Sequence, residues 1–418
     1  MVKCLRLFLL VCFSAVFFKA KSQTSVSYSI QAHQDDWQLF MSSRIIADMS
    51  VANSKMVFIT LTAGDESCGA CSYGGGGPFY LGRETGSVNS SKFAADLTTG
   101  TAPLDLPTAT TVLINGHNIT KYVYKNTVNY FLRLPDGNLN GNGFPNNNNQ
   151  SLNKLRTGVI ASISTIGIND VPPLTPTATY TGWSDLTNTI KAIINAEKIT
   201  GTQSWIHTAH DNTSTYNLND HSDHTNTSLA AQAAVSSGMA WVGVNGFMDY
   251  QSSANNGNLS ETDHENAAIL FSLEVLGMTE SMYQNDFTSG HQGWLPMDYF
   301  QVIRTPSGSA PLAPGGSGES NTDNSDPGLI KIPMVISITS HATVNKDIMI
   351  SISPYEQGTL TTTVYDMMGN KVYDLNTKII DRNAITLMLK SPVKAAGFYL
   401  VKTILNNKYI ETRKIVVE

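Results

Sequence analysis

The chain has 418 residues, 41% of them hydrophobic, with a formal net charge of −6 and a pI near 5.8. That length exceeds the roughly 100–200 residues of a usual single domain, so two units are expected, at least one with a full core. The acidic balance offers no basic footprint, which argues against nucleic acid or an anionic membrane as partner. Only 14% of residues are charged, and Ser, Thr, Asn and Gly fill the polar positions, as is common outside the cytoplasm.

Residues 1–22 read as a secretory signal. Lys3 and Arg6 form the basic start, Leu7 to Phe18 the apolar stretch, and Ala20-Lys21-Ser22 the cleavage site before Gln23. The apolar run is shorter than the roughly 20 residues that span a bilayer, and no other spanning candidate follows. Of four cysteines, only Cys68 and Cys71 then remain, in Cys-Gly-Ala-Cys. A small local disulfide is expected there, with a redox pair or a metal knuckle as alternatives. A zinc knuckle would need a second such half.

Apolar runs at Val26–Ala32, Met56–Thr62, Trp205–Thr208 and Trp241–Val244 predict buried strands. Helical spacing of Ala, Leu and Val predicts helices over Thr225–Ser236 and His264–Leu276. This alternation predicts an α/β fold, a Rossmann-like, mostly parallel sheet with helices on both faces. Gly74 to Gly77 lacks the Lys-Ser/Thr pair of a phosphate-binding loop, and Cys68 to Tyr80 is expected to cover the site as a lid. Asp136 to Gln150, rich in Asn and Gly, is expected to be an irregular loop. Residues 305–330, with Pro, Gly and Ser throughout, read as a flexible linker. Beyond it, short alternating segments such as Thr361 to Tyr373 predict a small all-β sandwich. The expected organisation is a signal at 1–22, a catalytic domain at 23–304, the linker at 305–330 and the sandwich at 331–418.

The chemistry gathers in two clusters. Ala32-His33-Gln34-Asp35-Asp36-Trp37 follows the first strand directly, where parallel sheets bind ligands. His33 and Asp36 suit a divalent metal there, with Asp35 facing the attacking water. His207-Thr208-Ala209-His210 and Asp220-His221-Ser222-Asp223-His224 follow another apolar run and lead into a helix. Five of nine histidines therefore lie near strand ends, which points to convergence on one site. His207 and His210 are read as packing residues, and Asp223 as orienting a ring. His264 and His291 are read as surface or core histidines, and Asp249-Tyr250 as lining the pocket or ending a strand.

His33-Gln34-Asp35-Asp36 and His221-Ser222-Asp223-His224, in that order, resemble the two signatures of the LmbE/PIG-L family of zinc-dependent deacetylases acting on N-acetylglucosaminyl compounds. The likeness extends to Ile59–Asp65, Gly82-Arg83-Glu84 and Leu134-Pro135-Asp136-Gly137, and covers roughly residues 25 to 280. It implies that His33, Asp36 and His224 bind zinc, that Asp35 is the general base, and that His221 stabilises the oxyanion or protonates the leaving amine. It also implies that Arg83 contacts substrate. The family usually has Pro where Gln34 stands and an acidic residue where Trp37 stands. Trp37 is therefore expected to stack on a sugar face or wall off part of the pocket.

Val364 to Val372, Ala396 to Val401 and Lys414 to Val417 resemble the C-terminal sorting domain of proteins exported by the type IX system of Bacteroidetes. With the signal, this implies the export machinery as a partner and a secreted or cell-surface location. The expected function is a secreted amidohydrolase removing an N-acetyl group from an amino sugar. The alternatives are a carbohydrate-binding protein that no longer turns over and a metal-dependent phosphoesterase, which would need more ligands. Retention of Asp35 beside all three ligands favours the enzyme.

Overall fold

A computed structural model describes residues 23–66, 79–166, 177–211, 215–281, 287 and 289–311. In the C-terminal part it describes 334–338, 341–354, 358–366, 371–379, 385–390, 392–406 and 409–417. The expected signal, the Cys68–Cys71 pair, residues 68–78 of the expected lid and most of the expected linker lie outside these residues.

The first strands are β1 (Ser25–Gln31), β2 (Ser54–Thr62), β3 (Thr110–Ile114), β4 (His117–Tyr124) and β5 (Thr127–Leu134). A two-stranded ribbon, β6 (Ser162–Ser164) and β7 (Thr179–Thr181), precedes β8 (Ser204–Ala209), β9 (Val242–Phe247) and β10 (Phe300–Arg304). Around them run α1 (Asp36–Phe40), α2 (Ser42–Met49), α3 (Phe79–Thr99), α4 (Leu152–Arg156), α5 (Gly182–Glu197), α6 (Ser222–Val235), α7 (Glu261–Glu280) and α8 (Ser289–Trp294).

Eight strands form one sheet in the order β10-β9-β8-β1-β2-β5-β4-β3. The central five, β9 to β5, are parallel. Antiparallel pairing flanks them on both sides, through β4 and β3 at one edge and β10 at the other. The sheet is thus mixed, with a parallel centre. β2, Ser-Lys-Met-Val-Phe-Ile-Thr-Leu-Thr, is apolar on both faces, as a strand covered on both sides must be. Tyr28, Ile30, Val57 and Ile59 pack with α4, α5 and α6 on one face. Met56 and Phe58 pack with α1, α2, α3 and α7 on the other. The result is three layers, helix on sheet on helix.

Helices α3 and α7 cross where Gly86 meets Gly277. A Cβ on Gly277 would fall 2.3 Å from the Gly86 amide nitrogen, so only glycine permits this approach. The crossing brings Glu274 of α7 to Arg83 of α3, with Oε1 3.8 Å from Nε.

The segment expected to begin a free linker at 305 is packed instead. Ser307 donates to the Ala240 carbonyl at 2.7 Å, Ala310 donates to Thr202 at 2.8 Å, and Ala310 is buried in the core. These backbone bonds and the Ala310 methyl give 305–310 a fixed place on the α/β layer, which its Pro and Ser content did not suggest.

The C-terminal residues form a three-stranded sheet, β11 (Met334–Ile338), β13 (Ile348–Pro354) and β16 (Ile385–Leu389), and a five-stranded one. The latter runs β12 (His341–Ala342), β18 (Tyr409–Val417), β17 (Gly397–Leu405), β14 (Gly358–Asp366) and β15 (Lys371–Ile379). Ile350 and Leu389 of the first share one core with Leu360, Val401 and Ile415 of the second, which makes a small sandwich. Among the described residues no helix is long and apolar enough to cross a membrane.

Candidate metal centre

From β1 the chain proceeds to β2 on one side, whereas β8 lies on the other side of β1. The strand order therefore reverses between β1 and β8, and the carboxyl ends of these two strands flank the crevice where open α/β sheets bind ligands. His33, Asp35 and Asp36 follow β1 there, and Asp220, His221 and His224 follow β8.

Asp36 Oδ2 accepts the backbone N–H groups of Ala32 and His33, both at 2.9 Å, which fixes the carboxylate. Its Oδ1 then lies 3.4 Å from His33 Nδ1 and 3.1 Å from His224 Nε2, and those two nitrogens are 3.2 Å apart. A tetrahedral ion roughly 2.0–2.2 Å from each ligand requires ligand-to-ligand edges of roughly 3.3–3.6 Å. One edge falls within that range and the other two are slightly shorter, and these buried residues could hold a metal ion.

The surrounding charge asks for a cation at the same place. Burial opposes charging of His33, but Asp36, Asp223 and Asp136 outweigh it and push its pKa up to about 10. Burial likewise opposes His224, which Asp220 and Asp36 hold well above the usual imidazole range. Burial would raise Asp36, yet the two imidazoles hold it well below the usual carboxylate range.

His224 is oriented from behind. His224 Nδ1 faces Asp220 Oδ1 at 3.0 Å and Asp249 Oδ2 at 3.2 Å, so its Nε2 is the atom turned to the triangle. Asn217 Nδ2 donates to Asp220 Oδ2 at 2.8 Å, while the Asp249 N–H donates to Asn217 Oδ1 at 3.2 Å. Burial and Asp220 push Asp249 well above the ordinary carboxylate range. Asp223 accepts the Gly137 N–H at 2.7 Å and stands 3.7 Å from His33 Nε2, as does Asp136. At that distance neither carboxylate makes a hydrogen bond to the His33 ring, so Asp223, expected to orient a ring, lies beside His33 without fixing its orientation.

Asp35 and His221 border the same cavity, about 330 Å³ in volume. Asp35 Oδ1 accepts from Arg83 Nη2, and Arg83 Nη1 donates to the Gly64 carbonyl at 2.9 Å. Arg83 therefore grips the carboxylate while lining the cavity. His221 caps α6, its Nδ1 accepting the Asp223 N–H at 3.1 Å. That acceptor role leaves the ring proton on Nε2, 3.9 Å from Asp136 Oδ1. Burial and His33 push its pKa down to about 3, which favours the neutral ring. A larger depression of about 450 Å³, lined by Thr215, Tyr216 and Gln251 among others, has no His or carboxylate.

Trp37 does not line the cavity. It is fully buried, packed on Phe58 with centroids 4.8 Å apart, and its Nε1 donates to Ser87 Oγ at 3.4 Å. One residue along a helix turns the side chain by about 100°, so the neighbour of Asp36 points into the core rather than the site. Trp37→Ala is expected to cost roughly 3–5 kcal/mol in urea denaturation while leaving metal content unchanged.

His207 is core, with Nε2 2.8 Å from Asp48 Oδ2. His210 Nδ1 meets the Asp211 carbonyl at 2.6 Å. His264 is exposed. His291, in contrast, lines the cavity, together with Phe40, Tyr250 and Trp294. Sequence reasoning missed Asp136 and Asp220 as site residues and left Asp249 and Tyr250 undecided. Position at the carboxyl end of a strand was the available signal for Asp136 and Asp249.

Asp136 reaches the site through strained backbone. Arg133 adopts φ 56° beside a register shift in the β2–β5 pairing, held by a two-point ion pair to Glu84 at 2.7 and 2.9 Å. Asp65 then anchors the loop, accepting the Asp136 N–H at 2.9 Å and Asn147 Nδ2 at 2.6 Å. Burial raises Asp65 to about 7. Because this lies above the unfolded value, its favourable contribution is full below about pH 3.8 and disappears as pH rises through 7. Ionisation is expected to cost on the order of 2–4 kcal/mol. Thermal unfolding at pH 5 and pH 8 should therefore differ less in Asp65→Asn than in the wild type.

No family model matches the chain, and no curated protein matches it. Among solved structures, a β-glucosidase from Listeria innocua in complex with glucose shares 8% identity over 20% of this chain and 16% of that one, at TM-score 0.16. A superoxide reductase from Ignicoccus hospitalis shares 12% over 21% and 80%, at 0.16. CopC from Methylosinus trichosporium OB3b shares 20% over 21% and 92%, also at 0.16. Likenesses this slight carry no argument about fold or activity.

Proposed function

We propose that this chain is an exported zinc-dependent N-deacetylase that hydrolyses the amide of an N-acetylglucosamine-type amino sugar. The observation that carries this reading is the triangle of His33, Asp36 and His224 beside a carboxylate, Asp35, and an imidazole, His221, on one cavity. Two imidazoles and one carboxylate suit zinc with a position left for substrate or water. The amino-sugar assignment rests on the resemblance of the two motifs to LmbE/PIG-L deacetylases.

His33 Nδ1, Asp36 Oδ1 and His224 Nε2 would hold the ion. When bound, it polarises the amide carbonyl and acidifies water. Asp35 accepts the proton of the attacking water, and Arg83 keeps the carboxylate aimed at the cavity while it does so. His221 donates its Nε2–H to the carbonyl oxygen as negative charge builds there, because its Nδ1 is engaged by the Asp223 N–H. Asp35 then passes its proton to the departing nitrogen as the C–N bond breaks, giving amine and carboxylic acid. The signal-like start and the sorting-domain-like C-terminal strands support export.

The test is zinc content and amine release measured together on the chain from Gln23, using N-acetylglucosamine and its oligomers. One zinc per chain with amine release supports the proposal. Absence of zinc sinks the metal centre, and zinc without release from any N-acyl amino sugar sinks the deacetylase.

A further inference from the structure

His224 has two carboxylates on the side away from the metal triangle, and only one of them holds it. With Nε2 turned to the triangle, the ring carries its proton on Nδ1, a single donor. Asp220 Oδ1 takes that hydrogen bond at 3.0 Å. Asp249 Oδ2 stands 3.2 Å from the same nitrogen, yet neither Asp249 oxygen makes a hydrogen bond among the described residues. The difference lies in Asn217. It belongs to a short 3₁₀ turn, Thr215–Asn217, between β8 and α6, and is fully buried. Its Nδ2 donates to Asp220 Oδ2 at 2.8 Å and to the His210 carbonyl at 3.0 Å, while its Oδ1 accepts the Asp249 N–H at 3.2 Å. The amide has one orientation here, because both groups that face Nδ2 can only accept.

His210 follows β8 directly, and its own N–H donates to the Phe247 carbonyl of β9 at 2.7 Å, so this anchor is part of the sheet. Asn217 therefore ties Asp220 to the ends of β8 and β9 at once. With Oδ2 engaged, the carboxylate presents Oδ1 to His224 in one orientation. Without Asn217, Asp220 would keep a buried oxygen that no donor meets, and the ring would be free to turn toward Asp249. Partners behind a ligating imidazole typically govern metal affinity by roughly 10–100-fold. We propose that Asn217 is a positioning residue of the metal centre, which fixes Asp220 and through it the His224 imidazole. The inference rests on the metal-centre reading and is independent of the substrate.

The test is the zinc affinity of the chain from Gln23, by competition with a fluorescent chelator, beside the visible spectrum of the cobalt-loaded chain as a readout of ligand geometry. Asn217→Ala should bind zinc about tenfold more weakly, with displaced cobalt bands. In an Asp220→Ala background the same substitution should change affinity about twofold or less, because the two side chains act as one unit. Asn217→Asp keeps the size and the acceptor for the Asp249 N–H but loses the donor, and should weaken zinc at least as much. Circular dichroism and urea denaturation of the chelated chains show which variants are folded. Unchanged zinc affinity in either folded variant would overturn the assignment. So would a tenfold loss that persists without Asp220, the mark of a role in the fold alone, and so would failure of both variants to fold. A wild type without zinc removes the metal centre and this inference with it. Zinc held through Asn217 but never used on an amide upholds the inference and removes the deacetylase.

Discussion

Asp35→Asn is expected to fold and bind zinc as the wild type does, yet release amine about a thousandfold more slowly. The amide keeps the size of the carboxylate and can still meet Arg83 through its oxygen, so the arginine is not left without an acceptor. What it cannot do is accept a proton from water, and loss of a positioned base typically costs roughly 10²–10⁴ in rate. Because Asp35 is not a corner of the His33–Asp36–His224 triangle, zinc stoichiometry should not move. Single-turnover rates beside metal analysis separate the two properties. A variant with wild-type turnover would remove Asp35 from the mechanism, and one that loses zinc would make it a ligand.

His224→Ala should lose both metal and turnover, and stability as well. The imidazole stands among three buried carboxylates, Asp36, Asp220 and Asp249, at 3.0 to 3.2 Å. Removing it leaves Asp36 and Asp220 with the neutral donors of Ala32, His33 and Asn217 but without the His224 imidazole between them, and breaking such a buried pair costs roughly 3–5 kcal/mol. Urea denaturation of both proteins after chelation measures that cost apart from any contribution of the ion. Zinc at wild-type stoichiometry in His224→Ala would place the metal centre elsewhere.

The parallel centre of the sheet was legible because β1, β2, β8 and β9 are apolar runs too short for helices, each ending in polar residues. The antiparallel flank was not anticipated, although the sequence carries a signal for it. Asn115-Gly116 joins β3 to β4 with φ 51° and 84°, the Asn-Gly pair that marks a two-residue hairpin. Helix α3 was hidden because Gly82, Gly86 and a run of Ser and Thr give it little intrinsic preference for helix. Its close packing on α7 supplies what propensity does not. At the site, the two motifs identified the triangle and its neighbours, since sequence adjacency there coincides with spatial adjacency. Trp37 shows the limit of that coincidence, as a helical turn carries it from the site into the core. Tyr250 and Trp294 show the converse, since 44 positions separate two rings that stack.

His33 and His224 are 191 positions apart in the chain, yet their ring nitrogens approach to 3.2 Å. An ion held between them would act on the unfolded chain as a covalent staple does, closing a loop whose entropy is on the order of 5 kcal/mol in the chain-entropy picture. The mature chain would have no distant cysteine pair to serve that purpose, because Cys68 and Cys71 are near neighbours. On the proposed reading of an exported metal enzyme, the ion proposed for the chemistry would then also set how long the molecule survives among proteases.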